Sequence, residues 1–204
     1  MAPRNSFRFP LVLFSLIALL AAAFLPTQTA AAAKFSASTP NLAAFIQSVQ
    51  NGQAGFVRGV YVENVLAFPV IQQPSYNPTY VSDKANVVTE FGAAAQYGNV
   101  GLLGHNTLAG KEFSNLQAGQ VITLVYGDGT TASFRVARIL RYEALDPANV
   151  NSAFRDLATG SVLTSSEMFA LAYGGTRRVT FQTCIEANGN SSWGRMFVIA
   201  EPAP

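Results

Sequence analysis

Cysteine, histidine and tryptophan each occur once in these 204 residues, and charged residues make up only 12%. A single cysteine, Cys184, excludes an internal disulfide. One histidine, His105, and no cysteine cluster exclude the usual zinc sites, so no metal is expected. Glu90, Glu112 and Glu143 are dispersed, so no calcium site can be read from spacing, and calcium dependence stays open. Gly127-Asp128-Gly129 is better explained as a turn than as a phosphate loop, and no cofactor is expected. A basic footprint for nucleic acid is also missing. The first 33 residues hold Arg4 and Arg8; without them 11 basic residues face 11 acidic ones. Internal repeats and low-complexity blocks are absent after that stretch.

What is present is apolar. Half the residues are hydrophobic, enough to bury a sizeable core and the opposite of a disordered composition. Arg4 and Arg8 precede an uncharged run from Leu11 to Leu25, then Pro26 and Ala30 to Ala33. That run is short for a membrane-spanning helix, and the alanines offer small-residue cleavage sites. Residues 1–33 therefore read as a secretory signal peptide, with an uncleaved membrane anchor as the alternative. Either places the remaining chain outside the cytoplasm, at the cell surface or beyond. Residues 34–55 read as a linker and a short helix. Thr39 is its expected cap, Pro40 its first position, and Leu42, Phe45, Ile46 and Val49 its apolar face, with Asn51-Gly52 as the stop.

Residues 56–204 form one domain of strand-like texture. Short apolar runs fall at Phe56–Val62, Leu66–Ile71, Asn86–Phe91, Val100–Leu103, Val121–Tyr126, Thr131–Tyr142, Arg178–Ile185 and Arg195–Ala200. Asp128-Gly129 predicts a hairpin between two of them. Gln72–Pro78, with two prolines, reads as loop. Ser152–Ala158 is expected to be a helical turn, with Asn151 as cap and Gly160 as stop. Thr164-Ser165-Ser166-Glu167 fits a capping box opening a helix that ends at Gly174-Gly175. Glu186 to Gly194 is expected to be a nine-residue connection. The fold class is mainly β, with two or three short helices, and a closed or partly closed barrel removes exposed edges economically.

In an exported chain an unpaired cysteine gains no cross-link, so Cys184 is a reactive thiol, an intermolecular bridge or an inert buried residue. His105 follows a short apolar run and Gly104. Cys184 ends a strand-like run and Arg195 begins the next. If those two strands pair antiparallel, both side chains can reach one rim, and alternation decides whether they share a face. A thiolate attacks a carbonyl, an imidazole carries the proton to the departing amine, and a guanidinium stabilises the oxygen that gains charge. One Cys, one His and one Arg suffice for acyl transfer. Arg177 and Arg178 are rival arginines, read as solvated charges.

Order and flanking residues sharpen this reading. Thr180-Phe181-Gln182-Thr183-Cys184 resembles the Thr-Leu-x-Thr-Cys motif of the sortases, cysteine transpeptidases of the bacterial cell surface, with Phe in place of Leu. Gly104-His105-Asn106 resembles their Gly-His segment. Arg195-Met196-Phe197-Val198-Ile199 resembles the arginine-led strand that follows the nucleophile. Phe113–Leu116, Gly119-Gln120-Val121-Ile122 and the Asp128-Gly129 hairpin look like the family's strand pair between the motifs. The resemblance spans about Phe56 to Ala200. It implies an eight-stranded β-barrel with short helices. It implies Cys184 as nucleophile, His105 as general acid and base, Arg195 as substrate and oxyanion stabiliser, and Thr183 shaping the site. Trp193 is either a substrate-contacting wall or a packed loop residue. The implied partners are the Leu-Pro-x-Thr-Gly-like sorting motif of surface proteins and an amine acceptor, a cell-wall precursor or a protein lysine, with a possible membrane tether. Two other readings remain: a thiol hydrolase on the same scaffold, and a non-enzymatic exported barrel that binds peptide along an edge. The last predicts an inert Cys184.

Overall fold

The computed structural model describes residues 39–204; the leader and most of the linker lie outside the described residues. Among the described residues no helix is long and apolar enough to cross a membrane. The elements run in chain order as α1 (Leu42–Val49), β1 (Val57–Val62), β2 (Leu66–Gln72), β3 (Val88–Glu90), α2 (Gly92–Ala95) and β4 (Val100–Leu103). A 3₁₀ helix (Ala109–Asn115) follows, then β5 (Val121–Tyr126), β6 (Thr131–Ala144), β7 (Phe154–Asp156) and β8 (Val162–Leu163). The chain ends with α3 (Ser165–Tyr173), β9 (Val179–Ala187) and β10 (Asn190–Pro202).

Hydrogen bonding links the strands in the order β10-β9-β4-β3-β2-β1-β5-β6, and β6 pairs back onto β10. Eight strands thus close on themselves, as the resemblance implies, and β7 and β8 hang from the end of β6. The barrel is mixed: β2–β3 and β4–β9 are parallel pairs, the other ladders antiparallel. Alternation along the strands divides the apolar side chains among one inner core and two outer ones. Phe181, Val198, Leu102, Val60 and Ile122 fill the barrel. Tyr142, Phe197 and Ile199 leave its outer wall to meet Phe154, Met168 and Tyr173. Helix α1 lays Phe45 on Tyr61 and Val125 elsewhere on the outside.

Local chemistry accounts for most boundaries and for four departures from expectation. At α1 the cap is Asn41, whose Oδ1 accepts from the Ala44 amide at 2.9 Å. Asparagine is a first-rank cap, and it sits directly before the apolar stripe. Thr39 instead accepts from the Asn64 amide at 3.1 Å, and Pro40 precedes the helix. The capping box at α3 is present in both directions between Thr164 and Glu167. Ser152–Ala158 is not helical: Phe154–Asp156 is strand β7, paired to β6 and β8. Phe154 enters the outer core while Arg155 bonds Glu143 across the ladder at 3.0 Å. One isolated helical turn could not repay its nucleation cost against those contacts. Phe113 to Asn115 lies in the 3₁₀ helix rather than in a strand, because Phe113 points into the barrel core.

The fourth departure shapes the site. Glu186 to Gly194 is not a loop: β9 continues to Ala187 and β10 starts at Asn190. Only Asn188 and Gly189 turn, with φ of 54° and 73°. Two consecutive positive φ values are what a tight hairpin of right-twisted strands needs, and Asn-Gly supplies them at least strain. The pairing then skips from Asn190↔Ala187 to Gly194↔Ile185, so residues 191–193 form a bulge just short of Arg195.

Candidate active site

Strand β9 carries the cysteine, and its two neighbours carry the other groups. On one side β10 places Arg195 directly across from Cys184. Directly opposed residues in an antiparallel ladder share a face. The pairing therefore answers what alternation left open: both side chains lie on the outer wall of the barrel. On the other side β4 runs parallel to β9, with Leu103 against Gln182. Strand β4 stops there, and the Gly104 amide donates to the Gln182 carbonyl at 3.2 Å. His105 follows two residues past the last paired position, Leu103 against Gln182. The three are therefore carried by the end of β4, by β9 and by β10, with the cysteine strand in the middle.

All three border one cavity of about 390 Å³. Cys184 and Arg195 are half-buried and His105 is exposed, so the thiol is reachable. Part of the lining is aromatic. Tyr173 centres it, with the Phe91 and Phe169 rings each 5.2 Å away and Phe197 at 6.4 Å. Tyr173 is 2% exposed, and burial drives its hydroxyl far above the ordinary tyrosine range, so it stays protonated. Its hydroxyl donates to Gln182 Oε1. The end of α3 is tied to the barrel by Asn99 Nδ2 on the Tyr173 carbonyl and Thr180 Oγ1 on the Ala172 carbonyl, both at 2.6 Å.

The histidine loop and the arginine are both fastened to the bulge. Asn106 Nδ2 donates to the Ser191 carbonyl at 3.0 Å. Arg195 Nη1 donates to the carbonyls of Ser192 and Gly194 at 3.0 and 2.9 Å. The His105 carbonyl accepts from the amides of Leu108 and Gly110, both at 2.9 Å, which folds the loop back on itself. Gly110 is required there: a Cβ would sit 2.3 Å from the Gly104 carbonyl oxygen and 2.3 Å from Thr183 Oγ1.

Of the other expected residues, Thr183 borders the cavity but is 6% exposed, with its hydroxyl against Gly110. That oxygen has no hydrogen-bond partner among the described residues. Trp193 is half-buried in the bulge and is not part of the cavity lining. Arg177 is exposed; it donates to the Tyr126 hydroxyl at 3.2 Å and lies over the Phe134 ring. Arg178 is half-buried rather than fully solvated, and donates to the Thr176 and Leu171 carbonyls. Neither borders the cavity. Asn106, Tyr173 and Gln182 escaped sequence reading. Alternation alone would have put Gln182 on the face of Cys184, whereas the Asn106 contact depends on a bulge that no local pattern announces.

The Asn106 contact is testable. Asn106→Ala is expected to slow acylation of Cys184 about threefold to tenfold while the melting temperature barely moves, since one exposed neutral hydrogen bond is worth about 1 kcal/mol. Acylation kinetics beside a thermal melt check this. Unchanged kinetics would mean that the loop holds His105 without the bulge.

No protein-family model and no curated relative matches the chain. Among solved structures it is similar to sortase C-1 from Actinomyces oris, at 15% identity over 82% of this chain and 83% of that one, with a TM-score of 0.48. Similarity to a sortase D5 transpeptidase from Clostridium perfringens is 14% identity, 79% and 88% coverage and a TM-score of 0.47. For sortase E1 from Streptomyces coelicolor, solved with a tripeptide in the active site, the figures are 20%, 72%, 88% and 0.47. Each of these three is named as a sortase.

Proposed function

We propose that the chain is a sortase-like cysteine transpeptidase, exported and working at the cell surface. The observation that supports this most is the one cavity that His105, Cys184 and Arg195 all border, with Arg195 directly across the ladder from Cys184. Cys184, as thiolate, forms a bond to the carbonyl carbon of a peptide, and Arg195 donates to the oxygen as it gains charge. The C–N bond then breaks, and the proton held by His105 goes to the departing amine. The acyl group stays on sulfur as a thioester. An incoming amine attacks it and gives a proton to His105; the C–S bond breaks, the new amide leaves, and the Cys184 thiolate is restored. The donor is a C-terminal sorting motif of the Leu-Pro-x-Thr-Gly type, and the acceptor is an amine of a cell-wall precursor or of a protein lysine.

Mass spectrometry of the chain incubated with a library of such peptides tests this. A thioacyl adduct on Cys184 is expected, together with an amide product when a glycine-like amine is added. An adduct that yields only acid at every amine concentration would make the protein a thiol hydrolase. Absence of adduct, with Cys184 alkylated only after denaturation, would leave a peptide-binding barrel instead.

A further inference from the structure

Strand β9 presents a polar seam to the outer wall: Thr180, Gln182 and Cys184, two residues apart. Thr180 is spent on α3, where its hydroxyl donates to the Ala172 carbonyl. Gln182 is half spent. Its Oε1 accepts from the Tyr173 hydroxyl. The direction of that bond follows from burial. Tyr173 OH has no other acceptor among the described residues, and a buried hydroxyl that only accepted would strand its own proton. Gln182 Oε1 must therefore face Tyr173, and the two Nε2 donors face the other way. Among the described residues nothing accepts from them, and Gln182 borders the cavity beside Cys184.

We propose that Gln182, oriented by Tyr173, is a specificity-determining residue whose Nε2 donates to a backbone carbonyl of the acyl-donor peptide two residues upstream of the scissile bond. This rests on the transpeptidase reading above. Two positions along a strand cover about 7 Å, the same span as two residues of an extended peptide lying along it. A scissile carbonyl at Cys184 therefore sets the carbonyl two residues away level with Gln182. The upstream side is the relevant one. That segment must stay bound after the amine leaves, and Gln182 lies toward the aromatic wall formed by Tyr173, Phe91 and Phe169. A donor in such apolar surroundings discriminates strongly, because a ligand that offers no acceptor leaves it unpaired.

The experiment compares a cleaved peptide with its analogue in which the amide at that upstream position is replaced by an (E)-alkene. The wild-type protein is expected to acylate with the analogue about tenfold less efficiently in kcat/KM. Gln182→Met is expected to lose about tenfold on the natural peptide and then to treat the two peptides alike within about twofold. Gln182→Met leaves the Tyr173 hydroxyl without an acceptor, so Gln182→Met/Tyr173→Phe is run beside it. The double variant removes both ends of the bond and should show the same indifference to the alkene. Wild-type adduct with an unchanged alkene penalty in both variants would overturn the assignment of Gln182 and leave the transpeptidase standing. No wild-type adduct with any peptide would overturn both.

Discussion

Cys184→Ala is expected to form no thioacyl adduct with any peptide, and Arg195→Lys to form it about 10²–10³-fold more slowly than the wild type. The first follows from there being one sulfur nucleophile in the chain of the right kind. The second follows from geometry. Arg195 sits across the ladder from Cys184, with Nη1 committed to the Ser192 and Gly194 carbonyls. Those two bonds hold the planar guanidinium, and among the described residues Nε and Nη2 have no acceptor. A lysine ammonium is a point charge on a flexible stem: it cannot bond two backbone carbonyls and present a fixed donor to a developing oxyanion as well. Quenched-flow mass spectrometry of adduct formation measures the loss. A lysine variant within about threefold of wild type would place the oxyanion donor elsewhere in the cavity. His105→Ala completes the set. Its defect should be large with an amide and much smaller with an activated ester, whose leaving group needs no proton.

Those expectations draw on residues visible in the sequence and on contacts that were not. Val100–Leu103 and Val121–Tyr126 are readable to the residue because glycines or a turn bound them and their residues are nearly all apolar. The capping box at Thr164 was readable because its chemistry is complete within four residues. Closure of the barrel by β6 against β10 was only an expectation, since a ladder between distant strands leaves no local mark. The same holds for His105 and Cys184: the parallel pairing of β4 with β9 brings the ends of their strands together, and no spacing encodes it. The hairpin at Asn188-Gly189 is the opposite case. Its turn signal was present, but the surrounding asparagine, glycine and serine gave Glu186 to Gly194 the composition of a loop. The segment is strand because β10 is anchored on both sides, by β9 and by β6, and drags its start along. Ser152–Ala158 departs from its helical expectation for a related reason. Its cap and stop residues are compatible with a helical turn, and the deciding partner, the end of β6, lies outside the window.

Phe181 carries the largest expected effect on stability. It faces into the barrel, opposite to its neighbours Gln182 and Cys184, and is fully buried. A ring of this size in the barrel core needs room or a partner. Phe113 on the 3₁₀ helix is that partner: the rings meet edge to face, 5.1 Å apart at 72°. The contact also ties the 3₁₀ helix, which follows the His105 loop, to the strand that carries Cys184. Phe181→Ala is expected to cost about 3–5 kcal/mol, the range for removing a buried aromatic ring from a core that cannot collapse around the void. Phe181→Leu should cost much less. It keeps most of the volume and forfeits mainly the ring pair, worth about 0.5–1.5 kcal/mol. Urea denaturation of the two variants, with Phe113→Leu and the Phe113→Leu/Phe181→Leu double variant, separates the parts. If the pair is what accommodates the larger ring, the double variant should be less destabilised than the sum of the singles by about the value of the pair. Strict additivity would mean that the two rings pack independently, and that the barrel accepts phenylalanine at 181 for its volume alone.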